Sequence, residues 1–450
     1  MSKKILNILF ILVIASMLFA ACGGGNTENA NTGDQPAAEE PAVDEPVAEE
    51  PVVDAGPPDL TGETVTIYHF GDISGPYASV TGPLVNGAID YVAYLNENGG
   101  IFGATIELKF ADTGGSVDEA VAAYDRFNSE DDNVLMVILY GSPESEALYE
   151  RVAEDKVPVL SAGLSSTAFY GIPDGYMFGL GPIYPDQFGF FLDYTVENWG
   201  EMQPEGTAEE INVALLSWPG AFGQGALTAE SRAYAESLGV NIVWEETYDL
   251  SPTADTTSAI LNAEAAGANV IYTNTLAFGP AALLNDLNNL GMREQFVVGG
   301  CNWAMDVGTF AFLADPSFAY GLYAPFPFAW WSETDNPSIQ LAHDLFTKNE
   351  RTPGEQNVGR LLIMGGIDMG KYVMEQAILE GGFENLTGEA IYNQLIQLSD
   401  YEIMGGLATA DFTNGRRAPG LIQIRQIQGG PDAFVILQDF SLAPDLRPQP

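Results

Sequence analysis

Short apolar runs and amphipathic stretches take turns along most of this chain. Residues 65–70 are β-rich and break at Gly71 and at Ser74-Gly75-Pro76. A 3.6-residue pattern follows over about 84–96 and stops at Asn98-Gly99-Gly100. Residues 105–110 read as a strand and 117–128 as a helix. The nearly continuous apolar run 133–140 reads as a strand covered on both faces. After it, Ser142 suits a helix N-cap and Pro143 the first position of a helix over 143–154, which leads to a strand at 157–161. A second series repeats the alternation: strands at 211–217, 241–246, 270–273 and 295–298 separated by helices at 223–238, 256–266 and 279–290. An extended stretch at 320–328 precedes helices at 337–349 and 358–380, and 408–437 is strand-like with a turn at Asn414-Gly415. Strands alternating with helices at this spacing predict βαβ units and parallel sheets, hence an α/β fold of two doubly wound, Rossmann-like lobes. Open sheets of this kind bind ligands beyond the carboxyl ends of their strands, so two facing lobes would share one cleft.

The ends of the chain behave differently. Lys3-Lys4 followed by the apolar run 5–19 has the charged start and short hydrophobic region of a secretory signal, too short for a stable membrane span. It ends in Leu18-Phe19-Ala20-Ala21-Cys22-Gly23, which resembles a bacterial lipoprotein cleavage site, with Phe19 where that pattern usually has Leu. The resemblance implies a signal peptide over 1–21 and lipid on Cys22, and several acyl chains at roughly 0.8 kcal/mol per buried CH₂ would hold the protein to a membrane. Residues 22–60 are Gly, Ala, Pro, Val, Asp and Glu with almost no large side chains, a composition that cannot offset its ordering entropy and so predicts an extended acidic tether.

Composition narrows the chemistry. The chain has 62 acidic and 16 basic residues, a net charge of −46, with no Lys or Arg between Lys4 and Lys109. Such a surface repels phosphate backbones and excludes nucleic-acid binding. Only two His, His69 and His343, and two Cys, Cys22 and Cys301, are present. No intrachain disulfide, metal site or catalytic constellation is expected, since a nucleophile–base pair would have to come from carboxylates or a lone thiol. His69 lies inside a strand and is expected in the core. The Gly-rich pieces Gly163-Leu164-Ser165 and Gly223-Gln224-Gly225 lack the P-loop Lys and the dinucleotide spacing, so no cofactor is expected.

Taken in order, Ser74-Gly75-Pro76, Asn86-Gly87-Ala88, the run Asn96 to Gly103, Asp112, Val157-Pro158-Val159-Leu160-Ser161 and Phe222-Gly223-Gln224-Gly225 resemble type I solute-binding proteins of branched-chain amino acid ABC importers. The resemblance spans about 64–437 and implies capture of a small solute by lobe closure, delivery to an ABC permease, no enzymatic activity, and a monomer outside the cell membrane. It implies three crossings near 185, 323 and 408, which makes lobe 1 of 61–185 and 323–408 and lobe 2 of 186–322 and 409–440. Carried over position by position, it places the ligand's carboxylate against Ser142 and against Gly163, Leu164 and Ser165. It places an aromatic wall at Phe222 and apolar contacts at Val80 and Leu276. The family's ammonium-holding acid falls in Gly300-Cys301-Asn302-Trp303, where Asn302 offers a hydrogen bond but no charge. Either Asp306 or Asp186 replaces that acid, or the ligand is not an α-amino acid, because a buried ammonium without a carboxylate is costly. Trp218, Trp303, Trp330 and Trp331 either wall a larger ligand or pack the core. The same body reporting to a membrane kinase, as a sensor, is the alternative to import.

Overall fold

The computed structural model describes residues 56–431 and 433–448. The expected signal segment 1–21, Cys22 and the tether up to residue 55 lie outside the described residues.

The first sheet forms around β1 (Thr64–Gly71), whose residues beyond Thr66 are all buried, as a central strand requires. In chain order it is followed by α1 (Ala78–Glu97), β2 (Thr105–Asp112), α2 (Val117–Glu130), β3 (Val137–Leu139), α3 (Ser142–Glu154), β4 (Val159–Ser161), α4 (Ser166–Tyr170) and β5 (Met177–Gly179). The strand order is β2-β1-β3-β4-β5, parallel throughout. Helices α5 (Tyr184–Glu197) and α6 (Trp199–Met202) lead to a second series. It comprises β6 (Asn212–Ser217), α7 (Gly220–Gly223), α8 (Ala229–Ser237), β7 (Asn241–Thr247), α9 (Thr257–Ala265), β8 (Val270–Thr273), α10 (Phe278–Asn289), β9 (Val297–Gly300), α11 (Val307–Phe310) and β10 (Leu322–Phe326). Then come α12 (Pro337–Lys348), α13 (Val358–Gly381), α14 (Gly388–Leu395), the small hairpin β11 (Tyr401–Ile403) and β12 (Ala408–Ala410), and finally β13 (Leu421–Ile427) and β14 (Phe434–Leu442). The second sheet runs β14-β13-β10-β9-β8-β6-β7, parallel except that β13 is antiparallel to both its neighbours, β10 and β14. Its central strands β8 and β9 are fully buried while β7 at one edge and β14 at the other carry exposed side chains.

Helix α13 returns to the first lobe and lies along α1. Gly87 allows the approach, since a Cβ there would meet Arg360 and Ile363 side chains at 3.0 Å. At this seam Asp90, almost wholly buried, takes both Arg351 (2.6 Å) and Arg360.

Several expectations shift. Strand β3 pairs over 137–139 only, not over the whole apolar run 133–140. The single helix expected at 223–238 is two: Gly223 sits against the Trp218 carbonyl and ends α7, and a reciprocal Thr228–Ser231 cap starts α8. Ser142 is not the N-cap of α3; Gly141 holds that position, and Ser142 is the first helical residue. Near the expected crossings at 323 and 408 the pairings are as follows. Strand β10 pairs with β9 and β13, so the chain leaves the second sheet after Phe326. Residues up to Arg417 still bond to the first lobe, through Gly179 N–H to Arg417 O (2.6 Å) and Phe412 N–H to Leu398 O (2.8 Å).

Candidate functional site

The strand ends of both sheets point their loops at one cavity. The first lobe supplies Tyr77, Val80, Thr81 and Leu84 from the turn after β1 and the start of α1. It also supplies Tyr140, Gly141, Ser142, Pro143 and Glu144 from the turn after β3, and Gly163 from the turn after β4. Tyr184 at the head of α5, Phe222 after β6, Leu276 after β8 and Trp303 after β9 close it from the other side. The enclosed space leaves about 40 Å³ for the centres of water-sized molecules, several times the roughly 10–15 Å³ that one water needs.

Each wall has a local cause. The buried Asp72 carboxylate accepts the backbone N–H groups of Ser74 (3.1 Å), Gly75 (2.5 Å) and Tyr77 (2.8 Å), which folds Ser74-Gly75-Pro76 into a turn and delivers the Tyr77 ring. Gly163 packs its backbone on the neighbouring turn: a Cβ there would stand 2.3 Å from Gly141 C and Ser142 N. Asn274 donates to the Phe222 carbonyl while Ser217 Oγ donates to Asn274 O (2.9 Å), which ties the turns after β6 and β8 together. Beside Leu276, Ala277 takes φ 45°, a conformation that a residue with a Cβ adopts only under constraint. The rings make a chain across the cleft, with centroid distances of 6.3 Å for Tyr140–Tyr77, 6.4 Å for Tyr77–Trp218, 6.1 Å for Trp218–Phe222 and 5.3 Å for Phe222–Tyr184.

Of the positions singled out in the sequence, Val80, Ser142, Gly163, Phe222 and Leu276 line this cavity. Leu164 is buried elsewhere, and Ser165 caps α4 through Ala168 N–H while donating to Glu146 (2.6 Å). Asn302 stands behind the wall: its N–H donates to Gln187 Oε1 (2.9 Å) and its side-chain amide finds no partner. Neither substitute acid reaches the cavity. Asp306 accepts Gly308 N–H and Val358 N–H (both 2.7 Å), and burial pushes its carboxyl up to about 6. Asp186 accepts Leu446 N–H (2.8 Å) and lies 4.0 Å from Arg416, and burial pushes it up to about 7. Trp303 lines the cavity. Trp218 is buried against Phe222 and Phe278, and Trp330 and Trp331 are core, stacked on Phe434 (4.7 Å) and edge-on to His343 (5.2 Å). His69 is buried, its Nδ1 3.3 Å from Ile138 O, and desolvation lowers it to about 4, so it stays neutral. Burial raises the Cys301 thiol to about 12, where it is no nucleophile.

The sequence reading passed over Glu144. Among the described residues it is the one ionisable acid or base lining the cavity, apart from tyrosines; it is buried, and its Oε1 accepts the Tyr140 hydroxyl at 3.0 Å. Its Oε2 makes no side-chain hydrogen bond, and the Ser142 Oγ lies beside the Tyr184 hydroxyl. Desolvation, above all, raises the Glu144 carboxyl. The signal was present as an acid two residues after Ser142, but an acid in a first helical turn already has an ordinary explanation in the helix dipole.

Two α/β lobes whose strand ends share one small, largely apolar cavity define a solute-binding architecture. The chain belongs to the periplasmic binding protein family, which matches residues 64–431. Members work with ABC permeases, which implies an extracytoplasmic location and a small-molecule ligand. No curated protein matches this sequence. Among solved structures, it is similar to a branched-chain amino acid ABC transporter protein from Thermus thermophilus with bound valine (19% identity, 85% of this chain and 98% of that one, TM-score 0.72). It is also similar to a fatty acid ABC transporter substrate-binding protein from Thermomonospora curvata (20%, 87% and 95%, 0.70). A third is a solute-binding protein from R. palustris in complex with 4-hydroxybenzoate (16%, 86% and 98%, 0.69). Identities this low establish the shared fold and leave the ligand to the cavity itself.

Proposed function

We propose that this chain is a lipid-anchored substrate-binding protein of an ABC importer, tethered through Cys22, which takes up a small solute between its lobes and hands it as a monomer to the permease. The observation that carries the reading is the cavity itself, enclosed by turns from both sheets at their carboxyl ends. Closure about the three crossings would bury the solute, and the closed form is what a permease would recognise. Val80, Leu84, Phe222 and Leu276 suit an aliphatic body, which favours a branched-chain or related amino acid. A second reading, an organic acid or amide on the same fold, draws on the absence of an acid from the cavity wall after β9. The test is the thermal stability of the purified full-length protein against branched-chain and aromatic amino acids, their deaminated acids, and short amides. A ligand at about a hundred times its Kd adds about 2.7 kcal/mol. Stabilisation by leucine, isoleucine or valine supports the first reading, by acids or amides alone the second, and by none of the panel neither.

A further inference from the structure

We propose that Glu144 is the ligand-holding acid of the cleft, and that its free Oε2 receives a protonated amine of the solute. The proposal deepens the solute-capture reading and rests on it. A carboxylate was expected from the second lobe, after β9, but Asp306 is spent on two backbone N–H groups and Asp186 faces Leu446 and Arg416. Glu144 comes instead from the first turn of α3, in the opposite wall. Tyr140 fixes its Oε1, and the carboxylate folds back over Gly141, where only a missing Cβ leaves room: an added one would stand 1.9 Å from Oε2.

Charge decides which ligand end this corner takes. Among the described residues, no Lys or Arg lines the cavity. The neighbouring carboxylate, Asp72, is already saturated by three backbone N–H groups. An anionic ligand group placed beside Glu144 would meet two carboxylates and no counter-charge. An ammonium there would complete a charge-assisted hydrogen bond to an oxygen that otherwise stays buried and unpaired. The Ser142 Oγ, two residues before and beside the Tyr184 hydroxyl, offers a second contact, and the rings of Tyr77 and Tyr140 line the same cavity. The remaining wall is apolar, so the ligand class is a compact hydrocarbon body carrying a protonated amine.

Three probes share one body and separate the possibilities: leucine, 3-methylbutylamine and 4-methylpentanoate. Calorimetric titration of the full-length protein is expected to show binding of at least one amine-bearing probe and much weaker binding of 4-methylpentanoate. Glu144→Gln keeps the shape and the Tyr140 bond, and is expected to weaken the amine-bearing probe by roughly tenfold or more. The probe comparison on the unmutated protein stands even where the variant does not fold. Equal or tighter binding of 4-methylpentanoate overturns the assignment of Glu144 and leaves solute capture intact; so does an unchanged affinity in a folded Glu144→Gln variant. Binding of none of the three overturns the assignment together with the aliphatic-solute reading beneath it.

Discussion

Side chains one or two positions apart have opposite fates in this cleft. Ser142 and Gly163 face the cavity, whereas Leu164 enters the core and Ser165 caps a helix. The sequence places a turn after each strand, and strand order carries that turn to the cleft, but which residue of the turn points inward depends on backbone packing such as Gly163 on Ser142. Val80, Ser142, Phe222 and Leu276, which the family resemblance marks, line the cavity, and so does Glu144, which it does not mark. The titrations of Asp186 and Asp306 belong to this scale too. Both carboxyls are raised from 3.8 by burial, to about 7 and about 6. A raised acid favours the folded state in its protonated form, so the stability it adds is full below about pH 4 and is lost as pH climbs to about 7. Asp186→Asn keeps the acceptor for Leu446 N–H and removes the titration. Chemical denaturation should show the unmutated protein losing more stability than the variant between pH 5 and 8, by on the order of a few kcal/mol. Parallel losses would mean that Asp186 is charged throughout.

At the scale of elements, most long helices and both series of strands follow from periodicity, because a doubly wound sheet buries whole apolar runs between helices. One long helix, α5 (Tyr184–Glu197), is absent from that reading, and the other exceptions are short. The three-residue strand β5 has no alternation to betray it, and the break between α7 and α8 depends on Gly223 meeting the Trp218 carbonyl. Helix α13 was legible as a helix, but its seam against α1 was not, since residues about 270 apart in sequence meet there. That seam carries a buried carboxylate, Asp90, shared by two guanidinium groups. Removing one member of a buried ionic cluster leaves the others desolvated and unpaired. Asp90→Ala should therefore cost about 3–5 kcal/mol in urea unfolding. A loss below about 1 kcal/mol would show that water reaches Arg360 despite its burial.

For the whole molecule, the surplus of 46 negative charges sets the response to salt. The screening length falls from about 10 Å at 0.1 M to about 3 Å at 1 M, which relieves self-repulsion of the compact state. Melting of the unliganded protein should move upward over that range in sodium chloride, and a flat or falling trend would contradict it. The two-lobed α/β plan was readable from the double strand series. β10 belongs to the sheet it follows, and the segment through Arg417 stays hydrogen-bonded to β5 before the chain moves over to β13.

The row of rings across the cleft gives the protein an optical property. Trp218 belongs to the second lobe and touches Tyr77 of the first, and Trp303 stands in the cavity wall. Both indoles are shielded from water while the lobes lie together. Parting the lobes would hydrate them and shift their emission to the red, whereas Trp330 and Trp331 would stay dark to the motion inside the core. Under the proposed closure, intrinsic fluorescence would record the motion without a label, from indoles at the cavity wall.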